Sequence, residues 1–561
     1  MDNLQRRLYD KKSFYNYVKT CFPKEKDLIE EYVEYLGEEA ELDPDECNRM
    51  EAFMKAVFDR KVALVSVDLE FSMKKSTRVT EVGVSVYDPW SQKGSLLPFV
   101  QSSHIIVREN QPFKDNTYVP DHTDFFNGGK SVVMSLHHAA HALNLIIEQN
   151  TMDGNPRGSG VALVGHGMDH DLLLLRDMGV DFGVASIMDT QDVLAYTHGA
   201  RNASLKNALR LARIPFAFLH NAGNDAYYTL LLSLALADPV YRLSSGLDSE
   251  DSKDRFASQK STRNEPPNTS SKVHLKNATK FLGPSFNQLL YQDKYKDLHY
   301  VNSIWEGELR DAYSRKIRAP HILQEINKVY DEQMVLISID VEAFERDHSV
   351  VTEVGIAVYE PKSSRGMVMP FIQSGHIVIA GTEDVRNGTF VADHKDFFNG
   401  GKTLTMDLHS AAQAIKDLIS KHTRKGTRYG TGVCLVGHGI GQDVKWLKHI
   451  GVSIGSARIL DTQKLLCMTH GKKGSSLKNG LKLVRQPCAF LHNAGNDAYY
   501  TMVLCLCLAD PLYRVAAAVD GKQTIETYKQ QPSTKHDPPN EATRVDASTS
   551  AEFFKYLEQS F

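Results

Sequence analysis

Eleven residues, Leu219-His-Asn-Ala-Gly-Asn-Asp-Ala-Tyr-Tyr-Thr229, recur without change as Leu491 through Thr501. The same offset of 272 residues carries Val67-Asp68-Leu69-Glu70 to Ile339-Asp340-Val341-Glu342, and Leu163-Val164-Gly165-His166-Gly167 to Leu435-Val436-Gly437-His438-Gly439. No gap is needed between about Val62 and Arg242. A solenoid unit spans roughly 20–50 residues and needs neighbours to bury its core. A period this long is a duplicated domain, and each copy is expected to fold alone.

The chain has 561 residues, 42% apolar and 24% charged, enough for two or three domains with sizeable cores. Hydrophobic spacing predicts a helical leader over 1–60, with Leu28, Tyr32, Val33 and Leu36 on one face, then an α/β domain over 61–243. Residues 244–275 are rich in Ser, Asp, Lys, Asn and Pro and read as a disordered linker. A second helical leader follows over 276–332, a second α/β domain over 333–515, and a mostly disordered tail over 516–561 with a short helix at its end.

Seven cysteines, without C-x-x-C spacing, argue for a reducing compartment and against a disulfide framework. Cys434, Cys467, Cys488, Cys505 and Cys507 face Ala162, Ala195, Phe216, Ser233 and Ala235 in the first copy, so they are read as packing residues. The polar Met1–Lys12 start predicts neither a secretory signal nor an anchor, and no apolar run is long enough to span a bilayer. The expected location is cytoplasmic, nuclear or both. A net charge of -4 argues against coating long nucleic acids by counterion release and leaves room for a small, metal-neutralised nucleic-acid site.

Val62 through Phe71 reads as a strand, so Asp68 and Glu70, two apart, project from one face, as do Asp340 and Glu342. Residues 160–165 read as a buried strand and 169–178 as the helix after it, which puts Asp171 in a first helical turn. A long helix over 221–236 carries Asp225 near its start. Four carboxylates brought together repel one another, and two divalent cations offset them; hard ions favour such oxygens. A metal pair about 3.5–4 Å apart activates water and stabilises a leaving oxygen in phosphodiester hydrolysis. His220, five residues before Asp225, is then a candidate general base.

Asp-x-Glu, an Asp five residues after the His of Val-Gly-His, and His-x-x-x-x-Asp together resemble the three motifs of the DEDDh 3'-5' exonuclease superfamily. The resemblance covers roughly residues 62–242 and 334–514. It implies two tandem ribonuclease H-like α/β domains, each a mixed sheet flanked by helices. It also implies two Mg²⁺ or Mn²⁺ ions per site, nucleic-acid 3' ends as substrate and nucleoside monophosphates as product. Asp68 and Asp340 would bridge the metals, Glu70, Asp225, Glu342 and Asp497 would hold one ion, and Asp171 and Asp443 the other. His220 and His492 would deprotonate the attacking water. The eleven-residue segment is similar to the fungal C-terminal DEDDh domains linked to "good for full DEAD-box helicase activity" proteins, implicated in mRNA export. That family usually carries one such domain. Gly167 and Gly439 stand where many DEDDh enzymes have Asn after the His.

Other residues admit two readings. His166 and His438 are expected to be structural, and Asp189 and Asp461 to cap helices. Glu81 and Glu353 either support the site or lie at the surface. The segment Asp121–Lys130, matched by Asp393–Lys402, either stacks a base and holds a phosphate or packs as a loop. Lys206 and Lys478 either touch phosphate or line a solvated helix face. Three functions compete: an exonuclease on RNA or single-stranded DNA, a nucleic-acid-binding adaptor in mRNA export or ribonucleoprotein assembly, and a scaffold whose copies pack as a pseudo-dimer.

Overall fold

The computed structural model describes residues 44–72, 77–90, 92, 94–113, 120–151, 160–198, 203–259, 272–274, 320–364, 366–423, 432–455, 457–532 and 544–546. The leader pattern at 28–36 and the short helix expected at the end of the tail lie outside these residues. The first lobe runs α1 (Pro44–Phe58), β1 (Ala63–Phe71), β2 (Val79–Tyr87), β3 (Gln101–Val107), β4 (Ser131–Met134), α2 (Leu136–Thr151), β5 (Val161–Gly165), α3 (Asp169–Asp177), β6 (Ser186–Asp189), α4 (Thr190–His198), α5 (Leu205–Leu211), α6 (Ala222–Ala237), α7 (Pro239–Ser245), α8 (Glu250–Ala257) and β7 (Lys272–His274). The second lobe repeats the order: α9 (Pro320–Tyr330), β8 (Val335–Phe344), β9 (Asp347–Tyr359), α10 (Pro361–Ser364), β10 (Ile372–Ile379), β11 (Thr403–Met406), α11 (Leu408–Thr423), β12 (Val433–Gly437), α12 (Gly441–His449), β13 (Arg458–Asp461), α13 (Thr462–His470), α14 (Leu477–Leu483), α15 (Ala494–Ala509), α16 (Pro511–Ala516), α17 (Lys522–Gln530) and β14 (Arg544–Asp546).

Each lobe is a mixed sheet flanked by helices. β1 pairs antiparallel with β2 and parallel with β5, β2 pairs antiparallel with β3, and β3 and β5 take β4 and β6 in parallel. One face of the first sheet packs against α2 and α3 through residues such as Val65, Val67, Leu143 and Leu175. The other face lies under α6, an almost entirely buried helix whose mean composition is apolar all round. Glycine makes that approach possible. A Cβ on Gly83 would stand 1.7 Å from the Ala222 carbonyl oxygen, and one on Gly355 would stand 1.7 Å from that of Ala494. Gly83 is the register partner of Asp68, so the close approach sets the start of α6 directly beside that carboxylate.

The described parts of the linker and tail differ from the expectation of disorder. Helix α8 forms at 250–257, capped by Ser249 accepting from the Ser252 N–H, with Phe256 packed edge-on against His198 at 5.8 Å. α17 repeats it, with Tyr528 against His470 at 5.6 Å. One apolar anchor per helix is too little to show as periodicity. Beyond them, β7, which follows the first lobe, pairs in parallel with β11 of the second, and β14 pairs with β4 of the first. Both seven-stranded sheets are thus completed by the other copy's tail.

The lobes meet about a pseudo-twofold axis. Asp238 caps α7 through the Val240 and Tyr241 amides and accepts from Val368 of the second lobe at 2.6 Å. Asp510 does the same on α16 and accepts from Leu96 of the first lobe at 2.5 Å. Phe99 meets Tyr513 edge-on, as Phe371 meets Tyr241. On the axis, Phe218 touches its own equivalent, Phe490, at 4.9 Å between ring centres. Residue i against j, answered by j against i, is the signature of an isologous interface.

Candidate active site

Asp68 and Glu70 share one face of β1, and α6 brings Asp225 over them. Carboxylate and ring atoms of Glu70, His220 and Asp225 all lie within 4.8 Å of one another, as do those of Glu342, His492 and Asp497. Asp171 enters from the first turn of α3 and Asp443 from that of α12. Burial, then repulsion from Asp225, Asp171 and Glu70, holds the Asp68 carboxyl well above the usual range. Burial, then Glu81 and Asp225, does the same to Glu70. Burial pushes Asp171 up to about 7 and Asp225 up to about 8. The second lobe repeats this: Asp340 and Glu342 are well raised, Asp443 reaches about 6 and Asp497 about 8, with burial the largest cause in each. All eight sequence-derived carboxylates therefore converge, four to a lobe.

Several scaffolding residues escaped the sequence reading. The Asn221 side chain caps α6 by accepting from the Asn224 N–H at 3.1 Å, and donates to the carbonyls of His122 and Thr123. Asn224 donates to the carbonyls of Phe125 and Phe218 and accepts from the Asn127 N–H. The unchanged eleven-residue segment is thus a helix start sewn to the 121–127 loop. That loop packs: Phe125 stacks on Phe218 at 4.9 Å, and the same pair in the second lobe is Phe397 on Phe490. Glu81 is buried beneath the cluster, bonded to His104 Nε2 at 2.9 Å and to the Thr123 hydroxyl. It supports the site. The clue available in sequence was its recurrence as Glu353 with His376.

His166 uses both ring nitrogens, on the Thr190 hydroxyl and the Ala203 carbonyl, and so holds a turn. Asp189 accepts from the Gly167, Met168 and Gln191 amides, tying the start of α3 to that of α4. Gly167 and Gly439 sit at φ +79° and +76°, the left-handed region that Gly enters without strain and Asn also tolerates.

His220 stands at the exposed rim of the site at φ +69°, its N–H donating to Asp225 Oδ2 at 2.9 Å. Desolvation, aided by His122 and Lys206, lowers its imidazole to about 4. His492 is lowered by desolvation, His394 and Lys478. Both rings are neutral near pH 7 and able to accept a proton.

The residues suit a divalent metal pair. Asp225 Oδ1, Asp497 Oδ1 and Asp340 Oδ2 are buried without a hydrogen-bond partner among the described residues, an expensive arrangement for carboxylates unless a cation neutralises them. The lobes are not identical. Lys395 replaces Thr123, is 2% exposed, and donates to the Thr382 and Val385 carbonyls. Its charge acts on Glu342. Asp443 Oδ1 also accepts from the Val341 N–H at 3.0 Å.

A mixed sheet carrying Asp-x-Glu on its first strand, with Asp and His-x-x-x-x-Asp supplied by helix starts, defines an exonuclease-type DEDDh domain. The family model for the DNA polymerase III subunit epsilon-like, C-terminal domain matches residues 63–236 and again 335–508, and the chain belongs to that family. Among curated proteins, it is 38% identical over 227 residues to the uncharacterized protein YDR514C of Saccharomyces cerevisiae, covering 36% of this chain and 47% of that one. It is 30% identical over 234 residues to Good for full DBP5 activity protein 2 of the same yeast, covering 37% and 41%. It is 28% identical over 174 residues to the uncharacterized nucleolar protein C2C4.08 of Schizosaccharomyces pombe, covering 29% and 64%. The chain thus spans about half the length of the curated relatives it matches. No helix among the described residues is long and apolar enough to cross a membrane.

Proposed function

We propose that this protein is a 3'-5' exonuclease acting on RNA or single-stranded DNA, with one site per lobe. The observation that carries the reading is the convergence of four mutually repelling carboxylates and a neutral histidine in each lobe. Asp68, Glu70, Asp171 and Asp225, and likewise Asp340, Glu342, Asp443 and Asp497, would hold Mg²⁺ or Mn²⁺. Such ions supply Lewis acidity at the phosphorus-bound oxygens and lower the pKa of water. His220 and His492 take the proton from the attacking water; their lowered pKa keeps the accepting nitrogen free at neutral pH. The Asp225 carboxylate orients the His220 backbone through its N–H and so fixes the ring at the rim. A cytoplasmic or nuclear location suits such a substrate, and the fission-yeast relative is named as nucleolar.

The test is incubation with a 3'-hydroxyl oligonucleotide in Mg²⁺ or Mn²⁺, followed by product analysis. Stepwise release of nucleoside 5'-monophosphates is expected, and release must stop in EDTA. An intact oligonucleotide with both metals would overturn the reading.

The likeness to a protein named for full DBP5 activity favours a second reading, an adaptor in mRNA export or ribonucleoprotein assembly without turnover. Nucleic-acid binding in EDTA by a protein that never shortens its ligand would support it.

A further inference from the structure

Phe218 and His220 both hold the left-handed backbone, at φ +50° and +69°, and Phe490 and His492 repeat those values. Residues with bulky side chains keep such a backbone only where their surroundings over-determine it. The peptide unit between Leu219 and His220 is gripped at both ends. Its N–H donates to Asp225 Oδ2 at 2.9 Å, and its carbonyl oxygen lies 2.5 Å from His122 Nδ1. A carbonyl oxygen only accepts, so Nδ1 carries the hydrogen and donates. The second lobe has the same grip: the His492 N–H donates to Asp497 Oδ2 at 3.1 Å, and His394 Nδ1 donates to the Leu491 carbonyl at 2.5 Å.

His122 is itself held in place. Its ring, 9% exposed, meets Phe125 and Phe218 edge-on at 5.8 and 5.5 Å, and Asn221 donates to its carbonyl. Phe218 in turn gives its own carbonyl to Asn224 and touches Phe490 across the dyad. An imidazole about a hundred residues distant in sequence thus reaches the carbonyl that lies between two left-handed residues. The tilt of that peptide plane sets φ of His220, and with it the direction in which the His220 ring leaves the chain at the rim of the carboxylate cluster.

We propose that His122 and His394 are positioning residues, each fixing the peptide plane in front of the candidate general base and so aiming the His220 or His492 ring. The proposal rests on the nuclease reading for the role of that ring, but the grip itself is measured without turnover. Two paired variants of the full-length protein separate donor from packing. His122→Phe/His394→Phe keeps a ring and removes the donor; His122→Asn/His394→Asn removes the ring and keeps a donor where Nδ1 was. In EDTA, hydrogen–deuterium exchange of peptides covering 218–221 and 490–493 should be about tenfold faster in the Phe variant, the size of one buried hydrogen bond, and within about twofold of wild type in the Asn variant. Exchange in α2, on the opposite face of the first sheet, should not change in either. With Mg²⁺ and a 3'-hydroxyl oligonucleotide, the Phe variant should lose roughly 10²-fold in kcat with KM within about twofold, the signature of a misaimed reacting group, and the Asn variant should recover most of that loss. Wild-type exchange in the Phe variant, or an Asn variant as impaired as the Phe one, overturns the proposal. So does a raised KM at unchanged kcat, which would make His122 a substrate contact. If wild type never shortens the oligonucleotide while exchange follows the expected pattern, the nuclease reading fails and the grip stands; if wild type cleaves and the Phe variant matches its rate, the positioning role alone fails.

Discussion

Replacing Asp225 and Asp497 by Asn should stabilise the metal-free protein, although both are buried acids at the heart of the candidate site. The Asp225 carboxyl is pushed from 3.8 to about 8, chiefly by burial, so at pH 7 it is protonated when folded and ionised when unfolded. A raised carboxyl pKa adds no penalty below the unfolded value, and its cost grows as pH rises towards the folded one. At pH 7 the span of roughly three units corresponds to a penalty on the order of 4 kcal/mol per lobe, and at pH 5 to under about 2 kcal/mol. Asn removes the titration, and its amide oxygen can still accept the His220 N–H that Asp225 accepts at 2.9 Å. Urea denaturation in EDTA, followed by fluorescence at both pH values, should show the variant more stable at pH 7, with the gain shrinking by about half at pH 5. In Mn²⁺ the order should reverse, because the wild type alone gains from the ion. A variant no more stable than wild type in EDTA at pH 7, or a gain indifferent to pH, would refute the reasoning that burial, with the neighbouring carboxylates, raises these carboxyls in the absence of metal.

His220→Ala combined with His492→Ala should lower the cleavage rate by about 10²–10⁴ while leaving Mn²⁺ affinity, read by electron paramagnetic resonance, within twofold; loss of ion binding would make these residues ligands instead. Lys395→Thr should raise the second lobe's Mn²⁺ affinity about tenfold or more, because a positive charge about 6 Å from a divalent ion costs about 1.4 kcal/mol even at the dielectric of water and more at an effective dielectric of about 20. Calorimetry would show two unequal classes of site becoming more alike. Gly83→Ala should destabilise by roughly 3 kcal/mol or more, since the new methyl meets the Ala222 carbonyl and not a yielding side chain. A thermal midpoint within a degree of wild type would contradict that. Cleavage at a protease site engineered within residues 261–270 should leave the halves co-eluting on gel filtration; separation would mean that the interface between the lobes does not hold them.

The site was legible because its signals are local. Strand alternation alone puts Asp68 and Glu70 on one face, and a helix start alone places Asp225. Repetition at constant offset then marked the whole set as a unit. What escaped depends on distant partners. Nothing in the sequence around Thr123 or Lys395 says that these residues lie against a buried glutamate. Nothing in the sequence marks Phe218 and Phe490, yet both sit at φ +50° and face each other across the pseudo-dyad. β7 and β14, three residues each, have no periodicity to detect, and only the free edges of β11 and β4 turn them into strands. Judging the linker and tail by composition alone missed those edges.

The traded edge strands bear on how this molecule is held together. A fragment ending just after β7 would bring a strand that belongs in another sheet and leave the border of β4 uncovered. Two such fragments would satisfy each other by reciprocal exchange, a homodimer of swapped tails. The 561-residue chain makes that partnership intramolecular, so dilution cannot dissolve it, and the loss of either tail strand uncovers an edge in the other copy's sheet.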